Sequence, residues 1–471
     1  MDALAHYIDG QWVQSQGRSQ DIVNPSTRTV IGRVALGTVE EGEAAIMAAR
    51  RAFPAWSATS VDTRLGYLRA IHDALVARNA EMADLISLEM GAPRWLAHEA
   101  QAPSGAQQFR ETIKAAENYQ FEYAMGRTLI RREAMGVCAL ITPWNWPLNQ
   151  VAAKVAPALA AGCCMVLKPS ELAPLDAYLF AQIVDEAGVP PGVFNLVFGD
   201  GATLGDALTN HNQVDMVSFT GSTRAGMAIA TNAARTIKRV ALELGGKSAN
   251  IILPDADLAV AIPSSITTCM NNSGQSCIAA TRLLVPRTRY DEVKALAKQV
   301  AEAMTLGPPI SNAEIGPIAN EAQYRRVLDH IARAKADGAE LIAGGGDCPA
   351  ALAPGLFVPV TIFGQVTPDM SIAQDEIFGP VLAIMPYDTV EQAIRIANDT
   401  PYGLSGQVWG KDHAAALEVA KRLRTGMVHV NGAPLDPAAP FGGYKMSGLG
   451  REWGVQGLEE FLEVKSVAGG A

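Results

Sequence analysis

The sequence predicts an α/β protein with two doubly wound domains, and two repeated patterns support that prediction. From about Arg131 onward, continuous apolar runs such as MGVCALITPW, CCMVLKPS and VDMVSFTGS alternate with helical stretches. Buried parallel strands have this appearance because helices cover both faces of their sheet. A second alternation runs from about Ser248 to Val430, in segments such as ANIILP, RLLVP and VLAIMPY. Each alternation predicts one parallel sheet.

The first 120 residues and the tail have different patterns. HYIDGQWV and IVNPSTRTVIGRVA are typical of short strands interrupted by Asn-Pro and Gly. From Thr38 to about Tyr119, apolar residues recur at spacings of three and four, which predicts helices. The late segment FLEVKSV predicts one more strand. We expect that strand to pair with the sheet edge of another subunit.

Composition excludes several classes of protein. Of 471 residues, 49% are hydrophobic and 18% are charged, which is incompatible with a disordered chain. The net charge of −10 argues against a nucleic-acid partner, which would require a basic surface. The apolar stretch from Val155 to Leu167 is shorter than the ~20 residues of a membrane span. With no signal-peptide pattern, no CxxC and no HExxH, we expect a cytoplasmic protein without a metal or membrane partner.

One strand end carries residues that suit a ribose. Lys168-Pro169-Ser170-Glu171 follows the run CCMVL. A carboxylate at this place accepts hydrogen bonds from ribose hydroxyls and repels a 2′-phosphate, which favours NAD over NADP. The alternative is a surface turn with a solvated ion pair.

A second strand end suits a pyrophosphate. Thr220-Gly221-Ser222-Thr223 follows VDMVSF and opens a helix, whose N-terminus attracts anions. An ordinary N-cap is the alternative interpretation. A third segment, Gly199 to Gly205, resembles a dinucleotide fingerprint, but its last glycine lies one position too late for GxGxxG.

Three further residues suggest catalysis. Cys277 follows NNSGQS, where small polar neighbours leave a thiolate free to attack a carbonyl. Glu243 in ALELGGKS is placed for burial and a raised pKa, as a general base requires. Asn145 in TPWNWP is placed to donate to an oxyanion. The respective alternatives are a small buried hydrophobe, a strand end facing water and a turn asparagine.

Taken together, the motifs TPWNWP, KPSE, FTGS, LELGGKS, GQSC and QDEIFGP, in that order, resemble the aldehyde dehydrogenase superfamily in its NAD(P)-dependent, non-acylating branch. The resemblance extends from YIDGQWV to PFGGYKMSGLGREWG and covers essentially the whole chain. It implies two doubly wound α/β domains and a small β extension for oligomerisation. The implied boundaries are 1–115 with 134–245 for NAD binding, 246–450 for catalysis, and 116–133 with 451–471 for oligomerisation.

The resemblance also implies roles for individual residues. The implied catalytic residues are Cys277 as nucleophile, Glu243 as base, Asn145 as oxyanion donor, and Lys154 and Glu452 as a proton relay. The implied NAD-binding residues are Thr142, Pro143, Trp144, Lys168, Ser170, Glu171, Gly201, Phe219, Thr220, Gly221, Ser222, Leu244, Glu376 and Phe378. In this family GxGxxxG replaces the dinucleotide fingerprint, which accounts for the late glycine.

The implied reaction is oxidation of an aldehyde to a carboxylic acid through a thiohemiacetal and a thioester. Trp146 and NNSG depart from the family's frequent residues, and both are expected near the substrate tunnel. Because no arginine cluster adjoins these segments in sequence, we expect an apolar aliphatic or aromatic aldehyde. The β extension that the resemblance implies leads us to expect a homodimer or homotetramer. A CoA-acylating enzyme, a semialdehyde dehydrogenase and a catalytically silent relative are the alternatives. Fast alkylation of a low-pKa Cys277 would argue against the silent relative.

Overall fold

The computed structural model describes residues 2–346 and 348–471. The strands are β1 (Ala5–Ile8), β2 (Gln11–Gln14), β3 (Arg18–Val23), β4 (Val30–Leu36), β5 (Glu122–Met125), β6 (Thr128–Ala134), β7 (Val137–Ile141), β8 (Cys164–Lys168), β9 (Phe194–Leu196), β10 (Met216–Thr220), β11 (Arg239–Glu243), β12 (Ala249–Ile252), β13 (Arg282–Pro286), β14 (Glu340–Ala343), β15 (Thr361–Gly364), β16 (Val381–Tyr387), β17 (Gly406–Trp409), β18 (His429–Val430), β19 (Gly448–Leu449) and β20 (Leu462–Ala468).

The α-helices cover the faces of these sheets. They are α1 (Val39–Ser57), α2 (Val61–Ala77), α3 (Asn79–Met90), α4 (Arg94–Leu96), α5 (Ala102–Glu117), α6 (Pro147–Ala161), α7 (Leu175–Glu186), α8 (Asp206–Asn210), α9 (Thr223–Ala234), α10 (Leu258–Met270), α11 (Tyr290–Ala303), α12 (Glu321–Ala336), α13 (Ser371–Gln374), α14 (Val390–Asn398), α15 (His413–Ala420) and α16 (Gly454–Glu459). The helical region begins where the spacing predicts, because Thr38 and Glu41 form a capping box at the start of α1.

The first sheet has the order β19-β11-β10-β7-β8-β9-β1-β2, and the strands from β11 to β9 are parallel. Strands β7, β8 and β10 are buried along their whole length, as their continuous apolar sequences predict. The register pairs Thr220 with Glu243 and Ile141 with Lys168. The residues that follow or end these strands are therefore brought to one carboxyl edge.

The second sheet has the order β14-β15-β16-β13-β12-β17-β18 and is parallel except for β14. The segments ANIILP, RLLVP and VLAIMPY form its centre, as the sequence predicts. Strands β15 and β17 were not predicted, because TIFG and GQVW are short and contain glycine or a polar residue. The doubly wound α/β prediction is confirmed for both sheets.

The tail strand β20 pairs antiparallel with β6, which in turn pairs with β5. These strands form a separate sheet of order β20-β6-β5, in which β20 lies at an edge. The side chains of β20 after Leu462 are exposed.

Two further findings concern the chain as far as the structure describes it. Within residues 2–346 and 348–471, no helix is both long and apolar enough to cross a membrane. Over the same residues, no group of His, Cys, Asp and Glu side chains is arranged to hold a metal ion.

Candidate active site

Cys277 follows a turn that forces the chain to change direction after α10. Asn272, Ser273 and Gly274 have φ values of 55°, 56° and 71°, so three consecutive residues are left-handed. For Ser273 this conformation costs energy, and such strain persists only where the surroundings hold it. The Ser273 hydroxyl provides part of that hold, because Gly316 N donates to it at 3.1 Å.

Asn145 is joined to this turn by hydrogen bonds. Its Nδ2 donates to the carbonyl oxygen of Gln275 at 3.1 Å. Asn272 Nδ2 donates to the carbonyl oxygens of Asn145 and Gln275, at 2.9 and 3.2 Å. Gln101 Nε2 then donates to Asn272 Oδ1 at 3.0 Å. The network holds the Asn145 amide against the carbonyl of Gln275, which lies two positions before Cys277 in the chain. Asn145 itself lies more than a hundred residues earlier.

Trp146 also contacts the nucleophile loop. Its indole Nε1 donates to Ser276 Oγ at 2.9 Å. A phenylalanine at this position could not form that bond, so Trp146 and Ser276 act as a pair. Trp146 lines the cavity beside Cys277, as the sequence predicts, but Asn272 is buried in the hydrogen-bond network instead.

Glu243 ends strand β11 and is buried. Neither of its carboxyl oxygens has a hydrogen-bond partner among the described residues. Burial and the nearby Glu452 raise the pKa of Glu243 well above its usual value, against the opposing charges of Lys154 and Arg451. The space beside it requires glycine, since a Cβ on Gly442 would lie 2.6 Å from Glu243 Oε1. Glu243 therefore has the environment of a protonatable base, not of a solvated strand end.

Lys154 and Glu452 form a buried ion pair. Lys154 lies on α6, and Glu452 is held by paired backbone hydrogen bonds with Phe441. Their charges act on the pKa of Glu243 in opposite directions. The structure thus brings together all five predicted catalytic residues around one cleft.

The Cys277 thiol lies in an unfavourable environment for a thiolate. Burial, Glu376 and Glu243 together raise the pKa of Cys277 above its usual value. The fast alkylation that would argue against a silent relative is therefore not expected from this environment alone. Ionisation requires a proton acceptor nearby, because the charged groups that act most strongly on this pKa, Glu376 and Glu243, are carboxylates.

The KPSE segment lies beside the predicted glycine turn. Lys168 is buried, and its Nζ donates to Pro169 O at 3.0 Å and to Gly199 O at 2.7 Å. It also pairs with Glu171 Oε2 at 3.5 Å. The lysine thereby ties the KPSE turn to Gly199 and orients the partly exposed Glu171 carboxylate. Gly201 begins a π-helical turn and has open space where a Cβ would point.

The FTGS segment starts α9. Ser222 is its N-cap, and its hydroxyl oxygen accepts from Ala225 N at 3.3 Å. Gly221 is needed because a Cβ there would lie 2.5 Å from the Phe219 ring. Leu244 is buried and donates its backbone N–H to Ser447 O.

Glu376 and Phe378 belong to the second sheet's side of the cleft. Glu376 Oε1 accepts from Gly246 N at 3.0 Å, and a Cβ on Gly245 would lie 2.1 Å from Glu376 Oε2. Phe378 packs edge-on against Trp144, with ring centroids 5.6 Å apart. Glu376 and Phe378, on the side of the second sheet, therefore contact residues that follow strands of the first sheet.

The carboxyl edge of the first sheet also contains unpaired hydroxyls. The buried Oγ1 atoms of Thr142 and Thr220 have no hydrogen-bond partner in the described part of the chain. Strands β7 and β10 are neighbours, so these groups lie on the same edge. Buried polar atoms without partners indicate a polar ligand, and a dinucleotide fits this edge.

A cavity of about 600 Å³ leads to Cys277. Its walls come from α5, α6, α10 and the loop after Asn431, which contributes Gly432, Ala433, Pro434, Leu435 and Pro437. Ser276 and Ile278 line it on either side of the nucleophile. Among the described residues that line it, Glu99 is a carboxylate and none is arginine or lysine. The cavity offers no cation for a second carboxylate.

Sequence reasoning missed two positioning residues. Gln101 anchors Asn272, as described above, and Gln323 Nε2 donates to the carbonyl oxygens of Ile377 and Phe378 at 2.8 and 2.9 Å. Nothing in the sequence marks these glutamines, since their partners are distant in the chain. The repeated asparagines of NNSG are the one signal in the sequence, and they mark Asn272, the partner of Gln101, and not the glutamine itself.

Comparisons with known proteins agree with this geometry. The model of the aldehyde dehydrogenase family matches residues 12–467. The curated 3-succinoylsemialdehyde-pyridine dehydrogenase of a Pseudomonas species is 55% identical over 99% of both chains.

Solved structures agree as well. A cysteine-to-alanine variant of aldehyde dehydrogenase C from Pseudomonas syringae, in complex with NAD⁺ and octanal, is 49% identical with a TM-score of 0.99, covering 100% of this chain and 97% of that one. An aldehyde dehydrogenase of Mycobacterium tuberculosis, complexed with NAD⁺, is 39% identical with a TM-score of 0.97, covering 99% and 98%.

The fold and the similarity to NAD⁺-bound structures define a nicotinamide-dependent oxidoreductase. The chain belongs to the aldehyde dehydrogenase family, and it is an NAD-dependent aldehyde dehydrogenase. The predictions of the family, of the fold class and of NAD are confirmed.

The raised thiol pKa predicts the pH dependence of alkylation. We expect Cys277 in the free enzyme to react with iodoacetamide faster as pH rises from 7 to 10, with a midpoint above the ordinary thiol value of about 8.5. Peptide mass spectrometry gives the rate at Cys277 and, as an internal control, at the loop residue Cys348. A Cys277 rate that is already constant below pH 7 contradicts this assignment.

Proposed function

We propose that this enzyme oxidises an apolar aliphatic or aromatic aldehyde to the free carboxylic acid, with Cys277 as nucleophile and Glu243 as the base that activates water. The observation that carries the proposal is the buried, unpartnered Glu243 carboxyl in the same cleft as Cys277. A base in this position serves hydrolysis of an acyl-cysteine. It has little use in an enzyme that transfers the acyl group to CoA.

The first chemical step is attack of Cys277 Sγ on the aldehyde carbon. The thiol proton leaves to a nearby acceptor, for which the Glu243 carboxylate is suitably placed. The oxyanion that forms receives a hydrogen bond from Asn145 Nδ2, whose other N–H is held by Gln275 O. The backbone N–H of Cys277 is the second donor.

Bound NAD supplies the acceptor for the hydride that leaves the thiohemiacetal carbon. On the protein side, Glu171 and Lys168 hold the adenosine ribose, with Ser170 and Gly201 beside them. Glu376 holds the nicotinamide ribose, and Phe378 and Trp144 bound the nicotinamide. The remaining contacts come from Thr142, Pro143, Phe219, Thr220, Gly221, Ser222 and Leu244.

Hydrolysis completes the cycle. Glu243 removes one proton from water as its oxygen attacks the thioester carbon, and the second water proton goes to the departing Cys277 sulfur, so the products are the carboxylate and the Cys277 thiol. The proton leaves Glu243 through Lys154 and Glu452, whose buried ion pair adjoins the base. A raised pKa suits a group that must take up and release a proton near neutrality.

The cavity supports the apolar substrate. With Glu99 as its carboxylate and no lysine or arginine among the described lining residues, it disfavours an anionic aldehyde such as succinate semialdehyde. The relative named for 3-succinoylsemialdehyde-pyridine acts on an aldehyde that bears a pyridine ring. An uncharged aldehyde with an aromatic ring is therefore compatible with the same cavity.

We also propose that the chain forms a homodimer or homotetramer in the cytoplasm. The edge strand β20 exposes Val464 and Val467, and Met125 is exposed on the same small sheet. The six cysteines are free thiols, as a reducing compartment maintains. Light scattering that gives the mass of a single chain at micromolar concentration argues against this assembly.

Two substitutions separate the two halves of the mechanism. Asn145→Ala removes an oxyanion donor, and we expect kcat to fall by about 10²–10³-fold. Glu243→Gln leaves acylation possible but slows hydrolysis, so intact mass of enzyme quenched during benzaldehyde oxidation shows an acyl adduct on Cys277. Asn118→Ala, at the exposed end of α5, serves as the control. Near wild-type turnover of Asn145→Ala, or no adduct with Glu243→Gln, contradicts the assigned role.

The charge of the cavity predicts a substrate ranking. We expect KM for succinate semialdehyde to exceed KM for hexanal and benzaldehyde by about tenfold or more, because its carboxylate meets no cation. Gln107→Arg, on the α5 wall, introduces a cation and lowers KM for succinate semialdehyde specifically. Initial rates of NADH formation measure both effects. A lower KM for succinate semialdehyde in the wild-type enzyme contradicts the proposed substrate class.

A further inference from the structure

One wall of the substrate cavity consists of strand side chains that the proposed mechanism does not use. Gln407 on β17 and His429 on β18 are partners in a parallel register, so their side chains lie on the same face of the second sheet. Both line the cavity that contains Cys277. Strand β17 is also one of the two strands of the second sheet that the sequence did not predict.

The amide of Gln407 is oriented by a hydrogen bond from the buried Asn250, which is itself hydrogen-bonded to the buried Ser265. Ser265 Oγ donates to Ala261 O at 2.5 Å, so it is available as an acceptor for Asn250 Nδ2 at 2.7 Å. The same Asn250 Nδ2 donates to Gln407 Oε1 at 3.0 Å. Asn250 and Ser265 are buried, with 1% and 3% of their surfaces exposed. The chain of bonds therefore specifies that the oxygen of Gln407 faces Asn250.

The opposite orientation of the Asn250 amide is less favourable. Asn250 Oδ1 is buried without a partner among the described residues. Rotating the amide would put Oδ1 against Ser265 Oγ, whose single proton already goes to Ala261 O, so that contact would have no donor. Gln407 Oε1 is thus the acceptor in this pair, and its Nε2 presents two N–H groups on the cavity side. No described residue accepts from Gln407 Nε2.

His429 has a complementary but different role on this wall. Its Nδ1 lies 2.8 Å from Ala433 O, and because a carbonyl only accepts, Nδ1 carries the proton. In the neutral ring Nε2 is then an acceptor. The bond also holds the ring against the loop after Asn431, so His429 forms a fixed side to the space in front of Gln407. The donor on this wall is Gln407.

We propose that Gln407 Nε2 forms a subsite for a second polar group on the aldehyde, a keto oxygen or a ring nitrogen that accepts a hydrogen bond. The inference deepens the proposed function and rests on it. It requires that the aldehyde group lies at Cys277 and that the rest of the substrate occupies the cavity lined by Gln407. A plain alkanal leaves the Gln407 donor unpaired, whereas an aldehyde with an acceptor satisfies it. Sites built to hydrogen-bond a substrate discriminate against analogues that lack the group.

Two matched pairs of aldehydes test the subsite. One pair is 4-oxo-4-phenylbutanal and 4-phenylbutanal, which differ in a keto group. The other pair is 4-(3-pyridyl)butanal and 4-phenylbutanal, which differ in a ring nitrogen. For wild-type enzyme we expect kcat/KM to be about tenfold higher for the acceptor-bearing member of at least one pair.

Variants at the subsite give the control. Gln407→Leu removes the donor at similar size, and the preference falls to about onefold. Gln407→Glu accepts from Asn250 but presents an oxygen to the cavity, so the acceptor-bearing member becomes the poorer substrate. Gln107→Leu removes an amide from the α5 wall of the same cavity and leaves the ratio between pair members unchanged.

The outcomes separate this inference from the proposed function. Oxidation of all the aldehydes to free acids with equal kcat/KM overturns the subsite and leaves the proposed function intact. A preference that persists in both Gln407→Leu and Gln407→Glu also overturns it. Failure to oxidise any of these aldehydes overturns the proposed function and the inference together.

Discussion

The active site depends on one constraint, which is that a thiol and a carboxyl are buried together beside further carboxylates. Burial raises the pKa of both Cys277 and Glu243, and each carboxylate in the cleft raises the pKa of its neighbour. Both groups are therefore harder to ionise than they would be in water. In the proposed mechanism, charge develops there when the thiol proton leaves, and the Asn145 amide, fixed by its bond to Gln275 O, would meet the oxyanion that results.

The rest of the architecture serves this arrangement. Parallel register brings the ends of β7, β8, β10 and β11 to one edge, which places Glu243 and the residues proposed for NAD binding. The left-handed turn at Asn272–Gly274 places Cys277, which belongs to the second sheet's half of the chain, near Glu243 of the first sheet. The ion pair of Lys154 and Glu452 lies within electrostatic reach of Glu243. A buried charge needs a partner of opposite sign. Here Lys154 on α6 pairs with Glu452 in the segment before α16.

Local pattern predicted most of the fold. The strands β7, β8 and β10 are continuous apolar runs, and α1 has its capping box in the sequence. The site was predictable where a motif carried it, as for GQSC and LELGGKS. Gln101, Gln323 and Gln407 were not, because each acts through partners far away in the chain. The thiol pKa was also not predictable, since it depends on which charges the fold brings near Cys277.

The central claim is that water, activated by Glu243, releases the product. Turnover of benzaldehyde with NAD in H₂¹⁸O, with and without added CoA, tests it most directly. We expect benzoic acid that carries one ¹⁸O from the solvent, after subtraction of any ¹⁸O that enters by exchange of the aldehyde oxygen with water. We also expect CoA to leave the rate unchanged. Product that forms only with CoA, as a thioester free of solvent oxygen at the new bond, would contradict it.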